Sequence, residues 1–214
     1  MRKPTRVAAW VVVGIVLLVG TPDSAIAQRF SLSPTIGLFI PTAEFYKAAT
    51  SGNTADLRKQ EVSIGLGGRL GIRGKRVGVE FTGVYAPSKL KFTLAGEQST
   101  EDANVFTGSG RLTLFVLPTT SLLWFAINGG VGVVHRSGAA YGALTDRTDL
   151  APTAGAQLGF RLGRLVAFTI SAEGYAYRPD FNSADESGSG QSQITQKDIH
   201  LSAGVSIPFL GLGR

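Results

Sequence analysis

The chain has 214 residues, of which 43% are hydrophobic and 17% are charged, and 28 of them are glycine. This hydrophobic content excludes a disordered chain, and the many glycines with only short apolar runs argue against a helical bundle. The length suits one domain with a substantial core. Because cysteine is absent and only 2 histidines are present, we expect no disulfide, no metal site and no cofactor.

Residues 1–27 have the pattern of a secretory signal peptide: a basic start, the apolar stretch Val7–Gly20 and the small-residue motif Ala25-Ile26-Ala27. The apolar stretch is shorter than the ~20 residues that a membrane-spanning helix needs. We therefore expect cleavage before Gln28 and a single domain over residues 28–214. Cleavage removes three basic residues and one acidic residue, so the formal net charge falls from +6 to +4. No basic stripe interleaved with aromatics is present, and no nucleic-acid partner is predicted.

The clearest repeating pattern lies in residues 62–85, where apolar residues alternate with small or polar ones. A period of two is typical of β-strands. The dipeptide Gly74-Lys75 suits a two-residue type II′ hairpin loop, in which glycine takes the position with positive φ. That loop predicts a register in which Arg69 lies directly opposite Glu80 on the polar face of the hairpin.

The same alternation recurs along the rest of the chain and predicts eight strands joined by four long loops and three short turns. The predicted strands are Arg29–Thr42, Val62–Arg73, Arg76–Tyr85, Ala103–Leu117, Leu122–His135, Ala151–Leu162, Val166–Arg178 and Gln196–Phe209. The predicted long loops are Ala43–Gln60, with a short helix from Thr42, Ala86–Asp102, with a strand extension at Leu90–Leu94, Arg136–Leu150 and Pro179–Thr195. A strand needs ~9–11 residues to cross a bilayer at a tilt, so each predicted strand is long enough.

The polar face decides which side of these strands points outward. It carries mostly Gly, Ser and Thr with a few ions, which suits a narrow interior, whereas a water-exposed face would carry many Lys and Glu. The apolar face then meets lipid, and closure of the barrel satisfies the backbone hydrogen bonds. We predict an all-β fold, an eight-stranded antiparallel up-and-down transmembrane β-barrel. Aromatics near strand ends, including Phe115, Trp124 and Tyr85, are interpreted as interfacial girdles.

The end of the last strand carries a specific motif, Ser202-Ala203-Gly204-Val205-Ser206-Ile207-Pro208-Phe209. With this motif the chain resembles the small eight-stranded outer-membrane barrels of Gram-negative bacteria, the family of the outer-membrane protein A membrane domain. The resemblance implies an outer-membrane location and a monomer. It also implies that Ser202, Gly204, Ile207 and Phe209 form the signal read by the barrel assembly machinery. Residues 210–214 depart from the family pattern, in which the aromatic is the last residue.

Seven polar residues fall on the interior side of the predicted strands and are expected to form one polar network across the lumen. They are Arg69, Glu80, Arg111, Asn128, Gln157, Arg161 and Glu173. Eight strands enclose space for little more than their own side chains, so we interpret this network as a plug of ion pairs and hydrogen bonds. A narrow pore or gate is the alternative.

His135 and Ser137 form the one pattern that suggests a catalytic pair. Residues two apart on a strand point to the same side, so the histidine and the serine can lie next to each other. A histidine there could activate a serine nucleophile. Lipid A 3-O-deacylases are similar barrels with a His-x-Ser pair and a downstream acid, for which this chain offers Asp146 or Asp149. A solvated strand end is the alternative, and a lipid A-modifying hydrolase is therefore only a second alternative function.

The preferred interpretation is a barrel without catalysis that supports envelope integrity or interacts at the cell surface. Its expected partners are outer-membrane lipids and lipopolysaccharide. Lys89 and Lys91 lie near a strand end, where they could meet lipid phosphates of the outer leaflet.

Overall fold

The computed structural model of the chain describes residues 28–42, 46–49, 55–74, 76–94, 97–142, 148–163, 166–178 and 195–212. The predicted signal peptide, residues 1–27, lies outside this part of the chain. Within the described residues no helix is long and apolar enough to cross a membrane.

Twelve strands and one turn of 3-10 helix make up the described structure. The strands are β1 Gln28–Pro41, β2 Tyr46–Ala49, β3 Ala55–Gln60, β4 Ser63–Arg73, β5 Val77–Ala86, β6 Lys89–Leu94, β7 Glu97–Asp102, β8 Asn104–Phe115, β9 Leu123–Ser137, β10 Thr148–Arg161, β11 Ala167–Tyr177 and β12 Gln196–Leu212. The 3-10 helix, Ala139–Tyr141, follows β9.

Eight of the strands close into a barrel in the order β1-β12-β11-β10-β9-β8-β5-β4. The first strand closes it, because β1 pairs antiparallel with both β12 and β4. All other neighbours also pair antiparallel. These eight strands coincide with the eight that the alternation predicts, with ends that differ by a few residues. The predicted eight-stranded antiparallel barrel is confirmed.

The two faces of the barrel wall have opposite chemistry. Large apolar side chains on the outer face are about half exposed, such as Ile36 at 55%, Phe81 at 55% and Ile170 at 52%. On the inner face Glu80 is 0% and Arg111 2% exposed. A barrel in water would bury its apolar face instead, so this distribution is that of a wall that meets lipid hydrocarbon.

A second sheet stands apart from the barrel wall and has four strands in the order β2-β3-β6-β7. Its central pair, β3 and β6, joins segments from the first and the second long loop, with Lys59 opposite Lys91. The predicted strand extension at Leu90–Leu94 is confirmed. The prediction of Ala43–Gln60 as a loop is wrong where β2 and β3 form, and the residues just after Thr42, where a short helix was predicted, lie outside the described residues. Strand β3 forms by pairing with a distant segment, and local sequence carries little signal for such pairing.

The predicted register of the β4–β5 hairpin is wrong by two residues. Arg73 pairs with Gly78 and Gly71 pairs with Glu80, so that Thr82, not Glu80, lies opposite Arg69. The backbone N–H of Gly74 donates to the carbonyl of Val77 at 2.8 Å, so Gly74 lies opposite Val77 and not inside the predicted two-residue loop. A shift of two residues leaves every side chain on its own face, so alternation alone cannot detect it.

Two of the predicted girdle aromatics point into the barrel. Phe115 is 0% and Trp124 is 2% exposed, and their rings meet edge to face with centroids 5.6 Å apart. They lie on the same strand parity as interior residues, which overrides their position near a strand end. Gly159 makes room for the indole: a Cβ at this position would lie 1.9 Å from Cε2 of Trp124. Tyr85, by contrast, is 47% exposed on the outer face.

The contact between Gly159 and Trp124 gives a stability prediction. Gly159→Ala is expected to lower the free energy of unfolding by about 1–3 kcal/mol, because the added methyl must displace a packed indole. Urea unfolding of detergent-folded protein, followed by the electrophoretic mobility of unboiled samples, measures the change. Gly129→Ala is the control, since its Cβ would lie at an ordinary 3.7 Å from the Thr153 carbonyl. Equal midpoints for the two variants would contradict the packing argument.

Candidate functional site in the barrel lumen

The inward-facing residues of the wall place a cluster of ions inside the barrel. Arg69 comes from β4, Glu80 from β5, Arg111 from β8 and Glu173 from β11, and each is at least 96% buried. They share the lumen because each lies on the strand parity opposite to the lipid-facing residues. Asn128 of β9 and Gln157 of β10 face the same space. We call these six residues the ionic layer.

Glu173 joins two arginines of the ionic layer. Its Oε1 accepts from Nη2 of Arg69 at 2.7 Å, and its Oε2 lies 2.8 Å from Nη1 of Arg111. Arg69 also donates to the hydroxyl of Ser171 at 2.8 Å. The three strands involved, β4, β8 and β11, are not neighbours in the wall, so these contacts run across the lumen. A carboxylate that offers one oxygen to each of two guanidinium groups makes strong charge-assisted bonds.

Glu80 is the second carboxylate of the ionic layer. One of its oxygens accepts from Nη2 of Arg73 at 3.3 Å, and the other accepts a hydrogen bond from the amide of Gln157. Nε of Arg69 lies 3.8 Å from Oε2 of Glu80, so the pair predicted from the hairpin exists, but as the longer of the two ion pairs of Glu80. In the observed register Glu80 stands between Arg69 and Arg73. Arg73 was not among the residues predicted for the lumen network.

Arg161 does not join the ionic layer. It lies at the last residue of β10, is partly exposed, and its guanidinium donates to the carbonyl of Thr119 in the β8–β9 turn. The structure therefore brings six of the seven predicted lumen residues together, with Asn128 held 3.4 Å from Nη1 of Arg111. Arg161 stands at the turn-side rim, because parity fixes the face of a residue but not its height in the barrel.

Apolar side chains bound the ionic layer on both sides. On the turn side Phe115, Trp124 and Ala126 form a buried cluster. On the loop side six strands contribute to a second buried cluster, the loop-side apolar layer: Phe39, Ala86, Val105, Val134, Ala151, Tyr175 and Tyr177. Interior parity is thus not uniformly polar, and the ions are held between two apolar clusters.

A further polar cluster lies above the loop-side apolar layer. Arg136 binds Asp149 at 2.5 Å and stacks on the ring of Tyr177, with its Cζ 4.8 Å from the ring centroid. The hydroxyl of Tyr177 donates to Asp198. This cluster was not predicted, because the predicted fifth strand ends at His135 and β9 runs on to Ser137. Extending the alternation by one residue would have placed Arg136 inside.

The second sheet is fastened to the barrel by contacts around Tyr141. The Tyr141 hydroxyl donates to Gln60 at 3.4 Å, and the Gln60 amide donates to the carbonyl of Ala103 at 3.1 Å. Tyr141 also packs with Leu90 of β6 and with Ala103 in a buried cluster. Burial raises the pKa of the Tyr141 phenol, so it remains a neutral hydrogen-bond donor at physiological pH.

His135 and Asp149 do not form the base–acid pair that a catalytic triad would need. His135 points outward, and its Nδ1 lies 2.8 Å from the hydroxyl of Thr148. Asp149 binds Arg136, whose side chain points to the opposite face of β9. The hypothesis that Asp149 orients His135 is therefore wrong, because neighbouring residues of a strand face opposite sides. Asp146, the other acid considered, lies outside the described residues.

The residues of the predicted assembly signal lie in β12. Ser202 pairs with Gly37 and with Ser171 on the two sides of the strand, and Ile207 is 45% exposed on the lipid face. At Gly204 a Cβ would lie 2.6 Å from the carbonyl oxygen of Pro34, so the wall itself requires glycine there. The strand continues past Phe209 to Leu212. Reading of this motif by the assembly machinery stays a prediction.

Comparison with known proteins gives likenesses at low identity. No family model and no curated protein matches the chain. Among solved structures, Neisserial surface protein A is 12% identical, with a TM-score of 0.46 over 87% of this chain and 98% of that one. Outer membrane protein AlkL is 14% identical, with a TM-score of 0.48 over 98% and 97%. The attachment invasion locus protein Ail of Yersinia pestis is 16% identical, with a TM-score of 0.38 over 85% and 100%.

The location of the protein follows from its own wall. A closed antiparallel barrel with an apolar exterior satisfies all backbone hydrogen bonds without water, and this is the architecture of outer-membrane proteins. The predicted outer-membrane location is confirmed on this ground. The chain is an integral outer-membrane barrel with the architecture of the small eight-stranded barrels that its sequence resembles.

The ionic layer gives the second stability prediction. Glu80→Gln is expected to lower the free energy of unfolding by about 3–5 kcal/mol, because it leaves Arg73 and Arg69 buried with one carboxylate fewer. Urea unfolding in lipid vesicles measures the difference. Glu61→Gln removes one half of the solvent-exposed Lys91–Glu61 pair and is the control, with an expected loss below about 1 kcal/mol. An equal loss in the two variants would show that the ionic layer is hydrated.

Proposed function

We propose that the protein is a sealed outer-membrane barrel that supports the envelope and holds a rigid sheet at the cell surface, without catalysis. The observation that carries this proposal is the layering of the lumen. An ionic layer lies between two apolar clusters, so a permeating ion would meet both buried hydrocarbon and fixed opposite charges. Ions enter such a low-dielectric region at a cost of several kcal/mol.

The loop-side apolar layer is the stronger barrier of the two. Phe39 and Tyr175 both pack their rings against His200 inside the barrel, with centroids 5.0 and 5.3 Å away. Val134 of β9 and Ala151 of β10 belong to the same layer and are fully buried. A narrow pore would require these side chains to move together. The packing therefore favours the plug over the pore.

The second sheet supports a role in surface interactions. In outer-membrane barrels the long loops face outward, so this sheet stands on the external side. Its exposed lysines, Lys89 and Lys91, alternate with the buried Leu90. Lys89 lies opposite Asp102 in the β6–β7 register, and Lys91 pairs with Glu61 at 2.5 Å. We propose lipopolysaccharide phosphates as the partner of this lysine edge. Assembly by the barrel machinery and a monomeric state complete the proposal.

The sealed lumen predicts the outcome of a conductance experiment. Protein reconstituted in planar lipid bilayers is expected to give no single-channel steps, because the ionic layer is packed between two buried apolar clusters. A known general porin in the same bilayer serves as the positive control. Regular steps whose size changes in Glu80→Gln would overturn the plug and establish the narrow pore. Steps that are absent in every preparation would agree with the proposal.

The attachment of the second sheet gives a separate prediction. Tyr141→Ala removes the ring that joins Leu90, Ala103 and Gln60, so the sheet should open more often and be cut faster by trypsin at its lysines on intact cells. Tyr85→Ala, at an exposed position of the outer wall, is the control and should leave cleavage unchanged. Identical cleavage rates for wild type and Tyr141→Ala would show that the sheet is held by other contacts.

A further inference from the structure

A half-open cavity of about 60 Å³ lies at the turn-side mouth of the lumen. Its wall includes residues of β1, β4, β9, β10 and β12, and of the turns that follow β8 and β10. The side chains that matter for its chemistry are those of Ser31, Arg73, Thr119, Trp124, Arg161 and Ser206. A site needs ~10–15 Å³ to hold one water molecule, so this cavity has room for a small ion.

The cavity is lined by two arginines and by no acidic residue. Arg73 shares its carboxylate, Glu80, with Arg69. Arg161 has no ion pair among the described residues, and its guanidinium donates to the neutral carbonyl of Thr119. The turn-side half of the lumen thus carries more positive than negative charge. A surplus of guanidinium groups beside a cavity favours an anion.

Two buried donors at the cavity have no hydrogen-bond partner among the described residues. They are Nε of Arg73 and the hydroxyl of Ser31, and these residues are 8% and 3% exposed. Other polar groups of the lumen also lack a partner among the described residues, but only these two line the cavity, where an occupant could satisfy them. An anion in the cavity would accept from such donors.

The backbone at this wall is irregular as well. The β1–β12 register shifts between Phe30, which pairs with Leu210, and Ser31, which pairs with Pro208. One extra residue of β12 is accommodated there, as in a β-bulge, and the proline contributes no N–H to the ladder. Bulges are frequent at barrel rims and beside functional sites, where they redirect a side chain. Here the bulge adjoins Ser31.

We propose that this cavity binds a small oxyanion, a phosphate ion or the terminal phosphate of a larger molecule, between Arg73 and Arg161. Arg73 is held in place by the Trp124 ring, whose centroid lies 5.0 Å from its Cζ, and by Glu80. Arg161 reaches the cavity from the rim. Guanidinium groups match the geometry of phosphate oxygens, and the Ser31 hydroxyl supplies a third donor. Short turns face the periplasm in such barrels, so the ligand comes from that side.

Phosphate binding can be followed through Trp124, the one tryptophan after residue 27. Inorganic phosphate titrated into the protein purified in a non-ionic detergent is expected to change tryptophan emission saturably and to raise the unfolding midpoint. Sodium chloride at equal ionic strength should do neither. Arg161→Gln should weaken phosphate binding at least about tenfold, the loss that corresponds to one charge-assisted contact.

Matched variants separate binding from folding. Arg76→Gln alters an exposed arginine at the same end of the barrel, which does not line the cavity, and should bind phosphate like wild type. Arg161→Lys keeps the charge but loses the planar fork and should bind with intermediate affinity. If Arg161→Gln does not fold, the phosphate affinities of Arg161→Lys and Ser31→Ala are compared with that of wild type instead. Equal affinity in wild type, Arg161→Lys and Ser31→Ala would overturn the site.

The source of the phosphate is decided by a second ligand. Glycerol 3-phosphate that binds as tightly as inorganic phosphate would show that the cavity accepts the end group of a larger molecule. Binding of inorganic phosphate alone would identify a site for the free ion. No saturable response to either compound would overturn the proposal.

Discussion

The burial of ionised arginines inside a narrow barrel is the constraint on which the rest of the structure depends. Arg69 and Arg111 are each 2% exposed, and an unpaired guanidinium there would cost several kcal/mol. Glu173 meets both of them from β11, while they come from β4 and β8. Strands that are not neighbours are thus joined through the lumen. These ion pairs form only once the wall has closed, so they favour the complete barrel over any open sheet.

The apolar clusters on either side make the ionic layer more effective. Ion pairs are stronger where water is excluded, and Trp124 and Phe115 close the turn side while Phe39 and Tyr175 close the loop side. Glycine is needed in the wall at residue 159, because the Trp124 indole occupies the space where a Cβ would lie. The lumen is therefore filled in the manner of a protein core, with polar and apolar groups in separate layers.

Alternation in the sequence was enough to predict the number of barrel strands, their faces and most of the ionic layer. It could not predict the hairpin register, since a shift by two residues keeps Glu80 and Arg69 on the inner face. It could not predict where Arg161 lies along the barrel axis, because strand parity determines only which face a residue is on. The strand β3 was missed because it is stabilised by pairing with β6 and not by its own pattern. Arg136 was missed because the end of β9 was placed too early.

The pairing of β3 with β6 has a consequence for how the outer surface can vary. Segments from two different loops form one hydrogen-bonded sheet, so a change that breaks the backbone pairing of one, such as a proline or an insertion, also affects the other. An insertion in one of them would displace residues contributed by the other. Side chains that point away from the cluster of Leu90, Ala103 and Tyr141 are the ones free to vary, and an epitope that spans β3 and β6 exists only while both loops keep their pairing.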